Sequence, residues 1–237
     1  DTIMGTFVKT PSSIVAEVLG LSDLGAFCID AEHAPFGRLE LDQSIAAFRA
    51  ADKPVLVRTS DDSAREIRGA LDCGATGVMV PHVTSAEQAR AIVKAAHFGD
   101  GGRGYAGSPR AAGYTTKPMA DHLADSHEQT TIIVQIEDIA ALDNVADIAA
   151  VEGVDCLFIG RVDLAVAMQK GVSAPGVIDT VKQICADADN GDAAIGMFTP
   201  NMAELPDWQA RGASLFLLGS DQSMMLAGAN ALAESIP

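Results

Sequence analysis

Between residues 27 and 37 the sequence reads FCIDAEHAPFG, which sets three ionisable side chains, Asp30, Glu32 and His33, directly behind a short apolar run. Carboxylates beside an imidazole are the material of proton transfer, because histidine titrates near neutral pH. An extended strand alternates faces, so Asp30 and Glu32 point one way and His33 the other. The cluster therefore predicts a strand that ends near Asp30, followed by a loop, built on Pro35 and Gly37, that re-aims what comes next. His33 is read either as a general base or as a structural histidine bonded to a main-chain carbonyl. Arg58, at the end of another apolar run, either holds a carboxylate or oxyanion or pairs with Asp30.

A second group lies further along. Glu137 closes the run TIIVQIE and Asp163 follows CLFIGR, so two neighbouring strands offer one carboxylate each. With no thiolate and no paired histidines beside them, two carboxylates favour a hard divalent cation, Mg2+ or Mn2+. The competing reading of Asp163 is the cap of a helix beginning at Leu164. Gln135, two residues before Glu137, shares its strand face and can bond a ligand or steady Glu137. Lys9 raises Schiff-base chemistry, but carboxylates nearby would keep its ammonium charged, so it is expected to be a rim residue. His97, His122 and His127 fall on helical or connecting segments and are expected to be solvated.

The elements that must position these groups follow from hydrophobic patterning. Eight short apolar runs occur at 4–9, 26–30, 54–59, 77–82, 131–137, 156–161, 193–199 and 214–220. Near-continuous apolar character marks strands buried on both faces, as in parallel sheets. Between them, helical spacing covers 12–21, 39–50, 62–71, 85–96, 139–150, 175–188, 202–211 and 222–234. Eight strands alternating with helices predict a single (β/α)8 TIM barrel over residues 1–237. A doubly wound sheet is the other architecture, but no GxGxxG follows the first strand. In a barrel, chemistry gathers at the C-terminal strand ends. Lys9, Asp30, Glu32, His33, Arg58, His82, Gln135, Glu137, Arg161, Asp163 and Asp221 all fall there.

The net charge of -16 argues against nucleic acid or an anionic membrane surface as a partner, and it would repel a small anionic substrate unless a local cation drew it in. Cys28, Cys73, Cys156 and Cys185 form no CxxC pair and are read as reduced, buried thiols. No apolar run reaches the length that spans a bilayer. A cytoplasmic protein is expected.

The blocks DAEHAP (30–35), VRT (57–59), GALDCGATGVMVPHV (69–83), VQIE (134–137) and VEGVDCLFIGRVDLA (151–165) resemble, in order and across essentially the whole chain, the HpcH/HpaI aldolases. The resemblance implies a metal-dependent, class II aldolase that reversibly joins pyruvate, or a related 2-oxo acid such as hydroxypyruvate, to an aldehyde. It implies that Glu137 and Asp163 bind the divalent ion (Mg2+, Mn2+ or Co2+) and that His33 is the acid/base. Arg58 would steady the enolate, Gln135 contact the pyruvate part and Val162 offer its backbone N–H to the substrate carboxylate.

The resemblance also gives Asp72 the task of raising the basicity of the histidine. Asp72 lies between a helix and the fourth strand, at the wrong end of its own barrel, so it can serve only a neighbouring subunit. A hexamer with an exchanged C-terminal helix, carrying Met224, Met225 and Leu226, is implied. The segment 99–118 starts on the same face as Asp72 and is expected to make subunit contacts, with Arg103 or Arg110 approaching a neighbour. Arg161 stands where relatives commonly have proline, which leaves acceptor preference open. The alternatives are an acyl-CoA lyase of the citrate lyase β or malyl-CoA lyase type and a non-catalytic barrel that binds a 2-oxo acid.

Overall fold

Strands that are apolar on both faces need one partner layer inside and another outside, and a closed barrel ringed by helices supplies both. The computed structural model describes residues 2–189 and 191–235. Its strands are β1 (Ile3–Val8), β2 (Ala26–Asp30), β3 (Val55–Arg58), β4 (Gly77–Val80), β5 (Thr131–Ile136), β6 (Cys156–Ile159), β7 (Ala194–Phe198) and β8 (Ala213–Ser220). They pair in chain order, all parallel, and β8 closes the ring against β1.

The helices are α1 (Ser13–Gly20), α2 (Arg38–Ala50), α3 (Ala64–Asp72), α4 (Ala86–Ala96), α5 (Met119–Gln129), α6 (Val145–Ala149), α7 (Arg161–Ala167), α8 (Pro175–Ala188), α9 (Leu205–Gln209) and α10 (Asp221–Glu234). Their starts follow ordinary capping chemistry. The Ser12, Ser63 and Ser85 side chains accept from the amides of Val15, Glu66 and Gln88, so α3 opens on Ser63, one residue inside the expected start at 62. The segments at 139–150 and 202–211 each begin as a 3-10 turn before a short α-helix. Helix α5 has no counterpart in the hydrophobic pattern, because its only buried residue is a polar one, His122.

Two apolar layers result. Val8, Ile29, Val57, Val80, Val134 and Ile159 face outward into the main core beneath the helices, where Phe27 stacks on Phe48 of α2 at 4.4 Å. Phe7, Cys28, Leu56, Met79, Ile133, Cys156, Phe158, Leu215 and Leu217 fill the interior of the barrel. All four cysteines are free and buried, and burial pushes the Cys28 and Cys156 thiols up to about 12. No helix among the described residues is long and apolar enough to cross a membrane.

The interior turns polar one step above this apolar layer. Register pairs Cys28 with Leu56 and, two residues on, Asp30 with Arg58. Asp30 is fully buried and accepts from Arg58 twice, Nε to Oδ1 at 3.0 Å and the terminal nitrogen to Oδ2 at 2.8 Å. Lys9 Nζ lies 3.0 Å from the same Oδ2, and the His33 backbone N–H donates to Oδ1 at 3.1 Å. Burial alone would raise the Asp30 carboxyl, but the Arg58 bonds and charge, with those of His33 and Lys9, overturn it and hold it at about 2.

A carboxyl held below its unfolded value adds stability that is complete above pH 4 and is lost as pH falls towards 2, worth about 2 kcal/mol at 1.36 kcal/mol per unit. Asp30→Asn strands two cations at this point and is expected to cost about 3 kcal/mol at pH 7, the range for breaking a buried pair. Urea unfolding at pH 7 and across pH 4 to 2 checks both effects. The variant should be weaker at neutral pH and less acid-sensitive, and a variant as stable as the parent would contradict this role for Asp30.

Candidate active site

At the C-terminal mouth the inward columns of β2, β3 and β5 deliver their polar residues to one place. A cavity of about 730 Å3 opens there, with Phe7, Phe158 and Phe198 among its apolar lining. Lys9, His33, Arg58, Gln135, Arg161, Val162 and Asp163 also border it, together with Ser220, Gln222 and Ser223 from the end of β8 and the first turn of α10. Arg58 is fixed by its two bonds to Asp30, and its guanidinium sits 4.7 Å over the Phe7 ring. Both readings of Arg58 are therefore compatible: the pairing with Asp30 is present, and it holds the guanidinium against the cavity.

Glu137 is 3% exposed. Gln135 Nε2 donates to Glu137 Oε2, and the His82 backbone N–H donates to Oε1 at 2.9 Å. Gly160 makes room for it: a Cβ there would fall 2.5 Å from Glu137 Cβ and 2.7 Å from Oε2. Burial first, then the charges of Asp163 and Glu32, push the Glu137 carboxyl well above the usual carboxylate range, against the pull of the His82 amide and charge.

Asp163 is exposed in the first turn of α7. That helix starts at Arg161 behind Gly160 and has no side-chain cap, so Asp163 does not cap a helix starting at Leu164. Its carboxylate belongs to the cavity border instead.

His82 was legible only as one of several polar strand-end residues. It adopts φ +57, the left-handed region uncommon for a residue with a side chain. Its Nδ1 lies 3.0 Å from Asp138 Oδ2 and 3.4 Å from Glu137 Oε1, and its Nε2 lies 3.6 Å from Glu32 Oε1. Burial would lower the imidazole pKa, but Asp138, Glu137 and Glu32 raise it. Glu32, His82 and Glu137 each offer one ligand atom within 4.8 Å of the others. The donors suit a divalent cation, because the set is rich in carboxylate oxygen, and Gln135 Oε1 is buried with no protein partner.

His33 is half exposed, with Nε2 3.8 Å from Glu32 Oε2, which itself lies 3.3 Å from Arg58 Nε. Asp30 therefore orients His33 through the backbone amide, while Glu32 faces its ring. Lys9 departs from the expected rim placement: its side chain is 29% exposed and turned onto Asp30. Asp221 is 2% exposed and accepts from the backbone N–H groups of Lys9 at 2.7 Å and Thr10 at 3.1 Å. Arg161 is buried and donates to Glu204 at 2.5 Å, so its added charge is matched locally.

Asp72 ends α3, at the opposite face of the barrel from the cavity, and pairs with Arg103 at 2.6 Å. Arg103 lies 4.5 Å over Phe98, and Arg110 binds Asp42 at 2.6 Å. His122 is buried beside Phe98 and Tyr105, and His97 is half-buried against the His127 ring, which corrects the expectation that these two are solvated, while His127 is exposed as expected. The aromatic residues Phe98 and Tyr105, close in sequence to His97, were the available signal.

The chain matches the HpcH/HpaI aldolase/citrate lyase family over residues 4–227. It is 35% identical, over 98% of its length and 91% of the relative, to the 5-keto-4-deoxy-D-glucarate aldolase of Salmonella arizonae. Among solved structures it superposes with a TM-score of 0.92 on an HpcH/HpaI aldolase/citrate lyase family protein from Burkholderia cenocepacia, at 31% identity over 99% of this chain and 94% of that one. It superposes at 0.88 on the citrate synthase SbnG, at 28% identity over 99% and 93%. With an eight-stranded barrel, a mouth lined by Arg58, Gln135 and Asp163 with Glu137 bonded to Gln135 beside it, and matches spanning nearly its whole length, the chain belongs to the HpcH/HpaI aldolase/citrate lyase family and is a carbon–carbon lyase.

Proposed function

We propose that the enzyme reversibly cleaves 4-hydroxy-2-oxo acids to pyruvate, or a related 2-oxo acid such as hydroxypyruvate, and an aldehyde. The observation that carries this reading is the buried Glu137 carboxylate, seated over Gly160, held by Gln135 and the His82 amide, and close enough to feel the charge of Asp163, beside a mouth that Gln135, Asp163 and Arg58 line. Glu137 and Asp163 would hold the divalent ion, Mg2+, Mn2+ or Co2+, with Glu32 and His82 close by. When bound, such an ion supplies Lewis acidity that favours the enolate of a 2-oxo acid.

Arg58 presents a preorganised positive charge to the developing enolate oxygen, because Asp30 fixes it before substrate arrives. Gln135 and the backbone N–H of Val162, in the unpaired first turn of α7, border the cavity where the 2-oxo acid would lie. In the cleavage direction His33 takes the proton of the C4 hydroxyl. The C3–C4 bonding pair moves into the enolate as the aldehyde leaves, and the same proton returns to C3 to give the 2-oxo acid.

A homo-oligomer, specifically a hexamer, completes the proposal. Beyond Asp221 every described residue of α10 is exposed, although Met224, Met225, Leu226 and Leu232 are apolar, which suits a helix exchanged with a neighbour. Asp72, on the face away from its own cavity, would then act on the histidine of an adjoining subunit. The four buried free thiols support a reducing, cytoplasmic setting.

His33→Ala is expected to lower kcat by about 100-fold or more, the usual share of a general acid/base, and Arg58→Ala at least as much. Excess EDTA should abolish turnover, with Mg2+, Mn2+ or Co2+ restoring it. Activity that persists in chelator, or trapping of the enzyme by borohydride with pyruvate, would replace the metal reading with a Schiff-base one. For Asp72, subunits carrying Asp72→Asn and subunits carrying His33→Ala, each weak alone, should regain part of the activity when unfolded and reassembled together. Mixing that restores nothing would confine Asp72 to its contact with Arg103.

A further inference from the structure

The proposed reaction leaves one cation of the cavity without a task. Lys9 follows β1, and its Nζ touches a single protein oxygen, Asp30 Oδ2 at 3.0 Å, which Arg58 already occupies at 2.8 Å. No other acceptor among the described residues bonds Nζ, so two of its three donors remain for a ligand. The other cations differ. Arg58 has two of its three guanidinium nitrogens on Asp30 and is already assigned to the enolate, and Arg161 is matched by Glu204 at 2.5 Å. Nor is Lys9 a mobile surface lysine, because Asp221 ties down its own backbone N–H and the next one.

Topology says which part of a substrate would meet it. In a closed ring of eight strands β1 stands opposite β5, the strand that leads into Glu137, with Asp163 following β6. A 2-oxo acid anchored at that corner must send its other half across the mouth towards β1 and β8. The lining on that side includes Lys9 with Ser220, Gln222 and Ser223, a cation beside hydroxyl and amide groups, set among the apolar Phe7, Leu218 and Met224. On a chain of net charge -16, a second carboxylate would be repelled unless a fixed cation met it.

We propose that Lys9 binds the distal carboxylate of a dicarboxylic 4-hydroxy-2-oxo acid, so that the aldehyde half of the reaction is a hydroxylated aldehyde acid. The inference rests on reading the Glu137 and Asp163 corner as the 2-oxo acid end. The 5-keto-4-deoxy-D-glucarate named for the Salmonella relative is a substrate of this class.

The test compares tartronate semialdehyde with glyceraldehyde, which carries a hydroxymethyl group where the former has its carboxylate. Both are added to pyruvate by the Mg2+-loaded enzyme and its Lys9→Met and Lys9→Arg variants. Lys9→Met should reduce the kcat/KM ratio of the acidic over the neutral aldehyde by about 10- to 100-fold, the worth of a charge-assisted bond, mainly through KM. Lys9→Arg should keep most of the preference. If Lys9→Met lowers both aldehydes equally, Lys9 serves only to brace Asp30 and the proposal is overturned.

A second measurement needs no turnover: calorimetric titration of D-glycerate, the reduced form of the acidic aldehyde, into the parent and Lys9→Met with Mg2+ and pyruvate present. Binding at least about tenfold weaker in the variant supports the proposal, and equal binding overturns it. Absence of aldol product with either aldehyde would instead count against the aldol reading itself, leaving the titration to judge Lys9.

Discussion

The mouth of the barrel depends on one buried carboxylate. Asp30 lies between two cations, and each of its oxygens is engaged by more than one donor: Oδ1 by Arg58 and the His33 amide, Oδ2 by Arg58 and Lys9. A charge in that position is tolerated only because it is so completely bonded. In return it sets the direction of three groups at once. Arg58 is turned over Phe7 against the cavity, Lys9 is drawn in from the rim, and the turn carrying Glu32 and His33 starts at a fixed point.

Across the ring a second carboxylate is treated in the opposite way. Glu137 is also buried, yet its protein partners are an amide side chain and a backbone N–H, with the His82 ring 3.4 Å away and no lysine or arginine bonded to it among the described residues. Asp30 is a finished ion pair, whereas Glu137 is a carboxylate whose charge has yet to be met. Under the proposed function, that contrast separates a residue that builds the site from one that would receive a ligand, and it comes from the environment alone, since both stand at strand ends on the same face of the barrel.

Much of this was legible in the chain. The eight apolar runs predicted the strands, and β2 ends at Asp30 as the clustered chemistry required. Gln135 and Glu137 followed from the period of two. What stayed hidden had physical causes. The partnership of Lys9 with Asp30 depends on how a flexible side chain folds inward. The part played by His82 depends on a left-handed backbone that hydrophobic patterning does not encode. Helix α5 escaped notice because a polar residue, His122, takes its inner position, and Asp221 shows neither its burial nor its targets until the ring is closed.

The bond from Asp221 to the Lys9 amide joins residues 212 positions apart. The first loop of the barrel is thus secured by the residue that opens the last helix, and the two ends of the chain complete the mouth between them. A chain emerging from the ribosome has made its β2 cluster long before it has made Asp221. The acidic turn is therefore present through most of synthesis without the geometry that gives it a use, and the site comes together only when the ring closes.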